Sequence, residues 1–348
     1  MNMSARSRVR AYLVFLATIF YYFLARAVAH QSAPGWGKDG WTPLVEQSTL
    51  AILLLAGFSL IGRWADAQTH ALSTQGFPFR HGWLGEARLG AALGWAAAIV
   101  CVLPLTVIGG IAIRFHFHPA AWMWWFANFL FFAVVALVEE VAFRGYGFQS
   151  LERAVGSSGA VIVYSVFYAI LQALQTGSSV ASIAISVVLS VLLSIAYLRT
   201  RALWLSWGLN FAWHASRGVL FGLVVTGVSS HSSVVQGDPL GPWWLTGGGY
   251  GLDASWLAFL VLLAAVPVVY ALTRDLDFQY NAPVIVPGGI PVDIDAAARR
   301  QHEAAMGSQA PTEPQLVQIA GAANPIVQPS EPQTAPDGST QNSDAPSN

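Results

Sequence analysis

The chain has 348 residues, 55% of them hydrophobic and only 10% charged, with 14 tryptophans and a formal net charge of −1. A soluble domain carries about a quarter charged residues, so this composition excludes an ordinary water-soluble enzyme, and the near-zero charge argues against a nucleic-acid partner. The single cysteine, Cys101, lies in an apolar run, which excludes a disulfide framework and any Cys/His zinc pattern.

Repeated apolar runs near the bilayer-spanning length of about 20 residues predict a polytopic all-α membrane bundle of about eight transmembrane helices. Arg6, Arg8 and Arg10 open the first run, which continues to about residue 29. Ala27-Val28-Ala29 offers a signal-peptide cleavage site. The run is nevertheless long for a signal sequence and holds Tyr21, Tyr22 and Arg26, so a retained first helix is the preferred reading. The second span covers about 44–61, closed by Arg63-Trp64 in interfacial style. Residues 65–88 read as a loop or surface-lying segment. The third span covers about 89–113, with Pro104 and Gly109-Gly110 as expected kinks. A fourth begins near Trp122, and a short loop around 156–159 separates it from the fifth, 160–174. The sixth, seventh and eighth are expected at 179–197, 203–225 and 254–272, with a Gly-, Ser- and Trp-rich loop between the last two.

Charge placement supports this order. With the N-terminus inside, eleven arginines from Arg6 to Arg274 fall on the cytoplasmic side, and only Lys38 and Arg114 fall outside. The organisation expected is therefore N-terminal helices and their connections over 1–121 and a motif-bearing core over 122–257. A last helix over 254–274 and a mostly disordered cytoplasmic tail over 275–348 complete it. The tail is rich in Pro, Ala, Gln, Ser, Asp and Gly and has no sustained apolar period.

Polar groups inside the apolar runs are the functional suspects. Val138-Glu139-Glu140-Val141-Ala142-Phe143-Arg144 ends the fourth span. An isolated charge in a membrane costs roughly 2.5 kcal/mol or more on insertion scales, so paired carboxylates there need a binding partner. Glu140 and Arg144 stand at i and i+4, on one helix face, and can pair. Glu139 is turned about 100° away and is left to face a cavity. The pair is expected about one turn from the cytoplasmic end. In the seventh span, Asn210 and His214 share a face at the same spacing, a geometry that can hold one metal or water. Arg217 faces roughly the same way and calls for a carboxylate partner. Gln172, in the fifth span, suits helix-to-helix hydrogen bonding.

These residues resemble a known family. Glu-Glu-x-x-x-Arg on one helix, Phe-x-x-x-His on the next and His-x-x-x-Asn on a later one mark the CPBP intramembrane proteases. That group includes the CAAX prenyl protease 2-like and the bacteriocin-processing or self-immunity proteins. The resemblance spans roughly 122–257 and takes in Leu203-Trp204, Phe211-Ala212-Trp213, Phe221-Gly222, Gly241-Pro242 and Trp244-Leu245-Thr246-Gly247-Gly248. It implies that Glu139 activates a water for peptide-bond hydrolysis, with Glu140 as its partner and Arg144 fixing the pair. Two positions depart from the pattern. Phe167 is present, but Leu171 stands where the second motif has His, and Asn210 and His214 exchange the His and Asn of the third. Leu171 and His214 are each about 16 Å into their helices at 1.5 Å per residue, so His214 can project into the space of the missing His.

The resemblance implies an intramembrane endopeptidase acting on a membrane-embedded or membrane-delivered peptide within the lipid bilayer of a prokaryotic cytoplasmic membrane. Glu139, Glu140, Arg144, Asn210 and His214 form its catalytic set. A divalent metal such as Zn2+, held by His214 and Glu139, is an expectation of the same kind. Two alternatives stay open: a catalytically impaired relative serving as a membrane binding or scaffold protein, and a proton- or cation-linked transporter using the carboxylates.

Overall fold

The computed structural model describes residues 5–276, apart from 38–39, 67–70, 229–231 and 233. The expected tail lies outside the described residues from 277 onward. The elements run α1 (Ala5–Trp36), α2 (Thr42–Asp66), a short α3 (Ala71–Thr74), α4 (Trp83–Val107), β1 (Ile111–Phe115), α5 (Pro119–Arg144), α6 (Tyr146–Ala173), α7 (Val180–Thr200) and α8 (Leu203–Ala215). After α8 come a single π turn (Ser216–Leu220), β2 (Val235–Pro239), the short α9 (Trp243–Thr246) and α10 (Trp256–Leu272). Among the described residues, the chain is an all-α membrane bundle with one small addition, the antiparallel β1–β2 ribbon that pairs Ile111 with Pro239 through Phe115 with Val235.

Among the described residues, the stretches Ala5–Trp36, Thr42–Asp66, Trp83–Val107, Pro119–Ala173 and Val180–Thr200 are long and apolar enough to cross a membrane; Trp256–Leu272 is a shorter apolar helix. Large apolar side chains such as Leu13, Phe20, Ile52, Leu60, Leu103, Phe126 and Leu260 lie exposed along these helices. In water such a surface would drive association; in a bilayer it meets acyl chains while each helix satisfies its own backbone.

Local chemistry sets the helix ends. His118 caps α5 by accepting from the Ala120 N–H at 3.3 Å, with Pro119 as its first residue. Ser179 and Ser182 form a reciprocal capping box on α7. The expected third span of 89–113 is corrected at both ends. Helix α4 starts at Trp83 and stops at Val107, because Gly109 adopts φ +78° and ends the helix instead of kinking it, and β1 follows. The seventh span also ends early, at Ala215, and the chain turns back through the π turn. Within α6 the helix breaks at Gly156 (φ +83°, ψ 166°), a conformation that favours glycine. The rings of Phe148 and Tyr164, eight residues to either side, meet at 5.5 Å, so the chain folds back on itself there.

The tightest packing joins α4 to α8. A Cβ on Gly90 would lie 2.1 Å from the Leu205 carbonyl oxygen, one on Gly94 2.3 Å from that of Leu209, and one on Gly208 2.2 Å from that of Ala87. Gly90 and Gly94 form a small-x-x-x-small step that lets the two backbones touch. The Gly94→Leu variant is expected to lose about 3 kcal/mol or more, since backbone cannot yield as a flexible side chain would. A thermal unfolding midpoint in detergent unchanged from wild type would refute this.

Arginine-bearing ends of the helices meet at one end of the bundle. Asp66 at the end of α2 takes Arg10 from α1 at 3.9 Å, Arg153 at 2.8 Å and the Tyr146 hydroxyl at 2.7 Å. Arg201 pairs with Glu152 at 2.8 Å, and Arg199 donates to the Thr273 hydroxyl at 3.2 Å.

Candidate functional site

Near its C-terminal end, α5 presents its two carboxylates in different directions. Glu140 is fully buried, and its Oε1 accepts from Arg144 Nη1 at 3.4 Å, one turn on. Arg144 is only 1% exposed and spends Nη2 on the Ser190 carbonyl oxygen of α7 at 3.1 Å. It does not snorkel to head groups. Ser190 lies ten residues before the end of α7, about 15 Å by helical rise. The carboxylates stand about one turn from the end of α5, as expected, yet by this measure they lie deeper within the bundle. The reason is that the chain continues beyond α5 into the first part of α6 before it folds back at Gly156.

Glu139 takes the other direction. Its side chain is 23% exposed and lines a cavity of about 270 Å³ shared by α1, α2, α5, α6, the end of α8 and the strand-like segment around Val225. His214, Leu171, Tyr168 and Phe132 line the same cavity, as do Glu46 and Gln175 toward the ends of α2 and α6 that are remote from the arginine cluster. Leu171 and His214 thus share one space, as the depth count predicts.

The amide of Asn210 joins the two carboxylates. Its Nδ2 donates to Glu139 Oε2 at 2.8 Å and to Glu140 Oε1 at 3.3 Å. Asn210 is fully buried, brought to α5 by the face of α8 that it shares with His214. His214 Nε2 stands 3.7 Å from Glu139 Oε2. That separation is too long for a hydrogen bond, and the buried Nε2 has no other hydrogen-bond partner. The imidazole lies parallel to the Phe132 ring, 5° apart in plane and 6.0 Å between centroids. Its other nitrogen, Nδ1, is 3.1 Å from Arg217 Nη2.

Arg217, fully buried, finds the carboxylate partner its position calls for. Nη1 lies 2.5 Å from Asp253 Oδ1, and Nε donates to the Trp213 carbonyl oxygen at 3.0 Å. Asp253 was not foreseen. It is the sole acidic residue between Asp238 and Asp275, directly before an apolar helix, and that isolation is the signal that could have found it. Gln172 does bond across elements, to the Tyr250 hydroxyl at 2.6 Å, although the partner sits on the loop before α10 and not on another long helix.

The donor set bears on the expected metal. A hydrolytic zinc centre takes three protein ligands and leaves a position for water. Here Glu139 Oε2 and His214 Nε2 lie 3.7 Å apart, while Glu140 is spent on Arg144 and Asn210 donates its amide hydrogens to the carboxylates. Among the described residues, no group of three or more His, Cys, Asp and Glu side chains is arranged to hold an ion. These residues do not supply such a centre. Chemically, the site offers one carboxylate facing a cavity, an amide that orients it, a buried ion pair behind it and an imidazole nitrogen across from it.

No curated protein and no solved structure matches the chain. Residues 120–216 match the family model described as type II CAAX prenyl endopeptidase Rce1-like, a stretch that runs from the start of α5 to the end of α8. It contains Glu139, Glu140, Arg144, Leu171, Asn210 and His214, and over that segment the match supports kinship with the CAAX-protease type of membrane endopeptidase.

Proposed function

We propose that the protein is an intramembrane endopeptidase that hydrolyses a peptide bond of a membrane-associated substrate with a water activated by Glu139. The observation that carries this reading is the division of labour between adjacent carboxylates: Glu140 is buried and paired with Arg144, while Glu139 faces the cavity with one oxygen held by Asn210. A carboxylate so placed can take a proton from a water that attacks a carbonyl carbon. The Asn210 amide fixes which oxygen is free, and the His214 imidazole stands beside the held oxygen, with Nε2 3.7 Å from Oε2.

The reaction balances without further reagents. Water adds to the carbonyl, Glu139 takes its proton and returns it to the departing amine, and the products are a carboxylic acid and an amine. Incubation of the purified protein in proteoliposomes with membrane-delivered peptides in 18O-water tests this. Cleavage with one heavy oxygen in the new carboxylate is the expected result.

A second reading rests on Leu171, which lines the cavity and can neither ligate a metal nor move a proton. Under it, the chain binds a membrane partner without cutting it. No new terminus from any peptide, with the protein folded, would favour this binding role over the endopeptidase.

A further inference from the structure

We propose that Arg217 and Asp253 are a positioning pair that fixes His214 as its Nε2–H tautomer and directs that N–H at the Glu139 carboxylate, whose Oε2 lies 3.7 Å away. A guanidinium carries only donors and stays protonated. With Arg217 Nη2 3.1 Å from His214 Nδ1, that ring nitrogen has to accept. A neutral imidazole has one acceptor and one donor nitrogen, so the proton sits on Nε2. The opposite tautomer, or an imidazolium, would set an N–H against the guanidinium.

Arg217 is held from three sides, so it cannot swing away to relieve such a clash. Its Nε is tied to the Trp213 carbonyl oxygen, its guanidinium carbon lies 4.3 Å from the centre of the Trp213 ring, and its Nη1 rests on Asp253. Asp253 is fixed in turn, because its Oδ2 accepts the Thr226 backbone N–H at 3.1 Å. Thr226 lines the cavity and holds φ at +48°, a conformation that a β-branched residue rarely adopts and that surrounding contacts must sustain. The loop that delivers Asp253 depends on Gly251 (φ +82°), where a Cβ would lie 1.9 Å from the Val224 carbonyl oxygen.

The consequence for the site is specific. With its lone pair on Nδ1 engaged by Arg217, His214 has no basic nitrogen facing the cavity, so it neither takes a proton there nor offers Nε2 to a metal. It can donate only toward Glu139, whose Oε2 lies 3.7 Å from Nε2. The role in catalysis rests on the endopeptidase reading; the tautomer does not.

The test is the 15N spectrum of histidine-labelled protein in lipid nanodiscs, with His214 assigned by the signals missing from a His214→Gln sample. The expected wild-type result is a protonated Nε2 and an unprotonated Nδ1. An Nδ1–H tautomer or an imidazolium overturns the proposal without any variant being needed. In Asp253→Asn, which keeps the side-chain volume, the single Nε2–H form is expected to give way to a mixture; an unchanged signal in folded Asp253→Asn removes Asp253 from the pair. Nε2–H signals in a protein that cuts no peptide would leave the positioning pair standing and sink the endopeptidase reading. Cleavage by a protein with Nδ1–H would do the reverse.

Discussion

Glu139→Gln is expected to lower cleavage of a membrane-delivered peptide by about a thousandfold, within the range of general-base contributions of about 10² to 10⁴, while the folded fraction stays at wild-type level. Glutamine keeps the shape of the side chain and an oxygen that can accept from Asn210 Nδ2, now 2.8 Å from Glu139 Oε2. What it loses is basicity, and Glu139 is the carboxylate of the pair that reaches the cavity. Removing a charge from the half-buried Glu139 leaves no counter-ion stranded, since Arg144 keeps Glu140. Initial rates measured beside thermal unfolding separate the two effects. Retained cleavage in a folded Glu139→Gln protein would remove Glu139 as the base.

How much of this was legible in the sequence depends on the range of the interaction. Glu140 with Arg144, and Asn210 with His214, are one-turn relations, so helix geometry alone places them on common faces. The structure forms the first as an ion pair and turns the second pair toward α5. The apolar runs likewise mark the long helices, because a span must satisfy its own backbone and expose apolar side chains to lipid.

What the sequence hides is set by long-range contacts or by local backbone choices. Arg217 and Asp253 are 36 positions apart and meet only because glycine turns allow the loop to cross the end of α8. The β1–β2 ribbon joins segments about 120 residues apart, and neither is long enough to announce itself by alternation. Gly145 ends α5 one turn after the carboxylates, but the chain goes straight into α6 with no intervening loop, and that helix breaks only at Gly156. A helix end read from sequence is not the end of the bundle.

The same ion pair that frees Glu139 for chemistry makes the fold dependent on Arg144. Arg144→Ala is expected to destabilise the protein by about 3–5 kcal/mol, the usual cost of leaving one buried charge without its partner. Glu140 is fully buried, and without Arg144 its carboxylate would keep the Asn210 amide, 3.3 Å from Oε1, and the Ser206 hydroxyl but no cation. The variant also abandons the Ser190 carbonyl oxygen and empties the space of a large buried side chain between α5 and α7. Glu140→Gln combined with Arg144→Met removes both charges and fills most of that space, so the double variant is expected to recover most of the loss. Unfolding in mixed micelles with increasing SDS reads both. If Arg144→Ala unfolds where wild type does, the pair contributes nothing to stability. If the double variant is no better than Arg144→Ala, it is the lost packing and the Ser190 contact, not the stranded carboxylate, that set the cost.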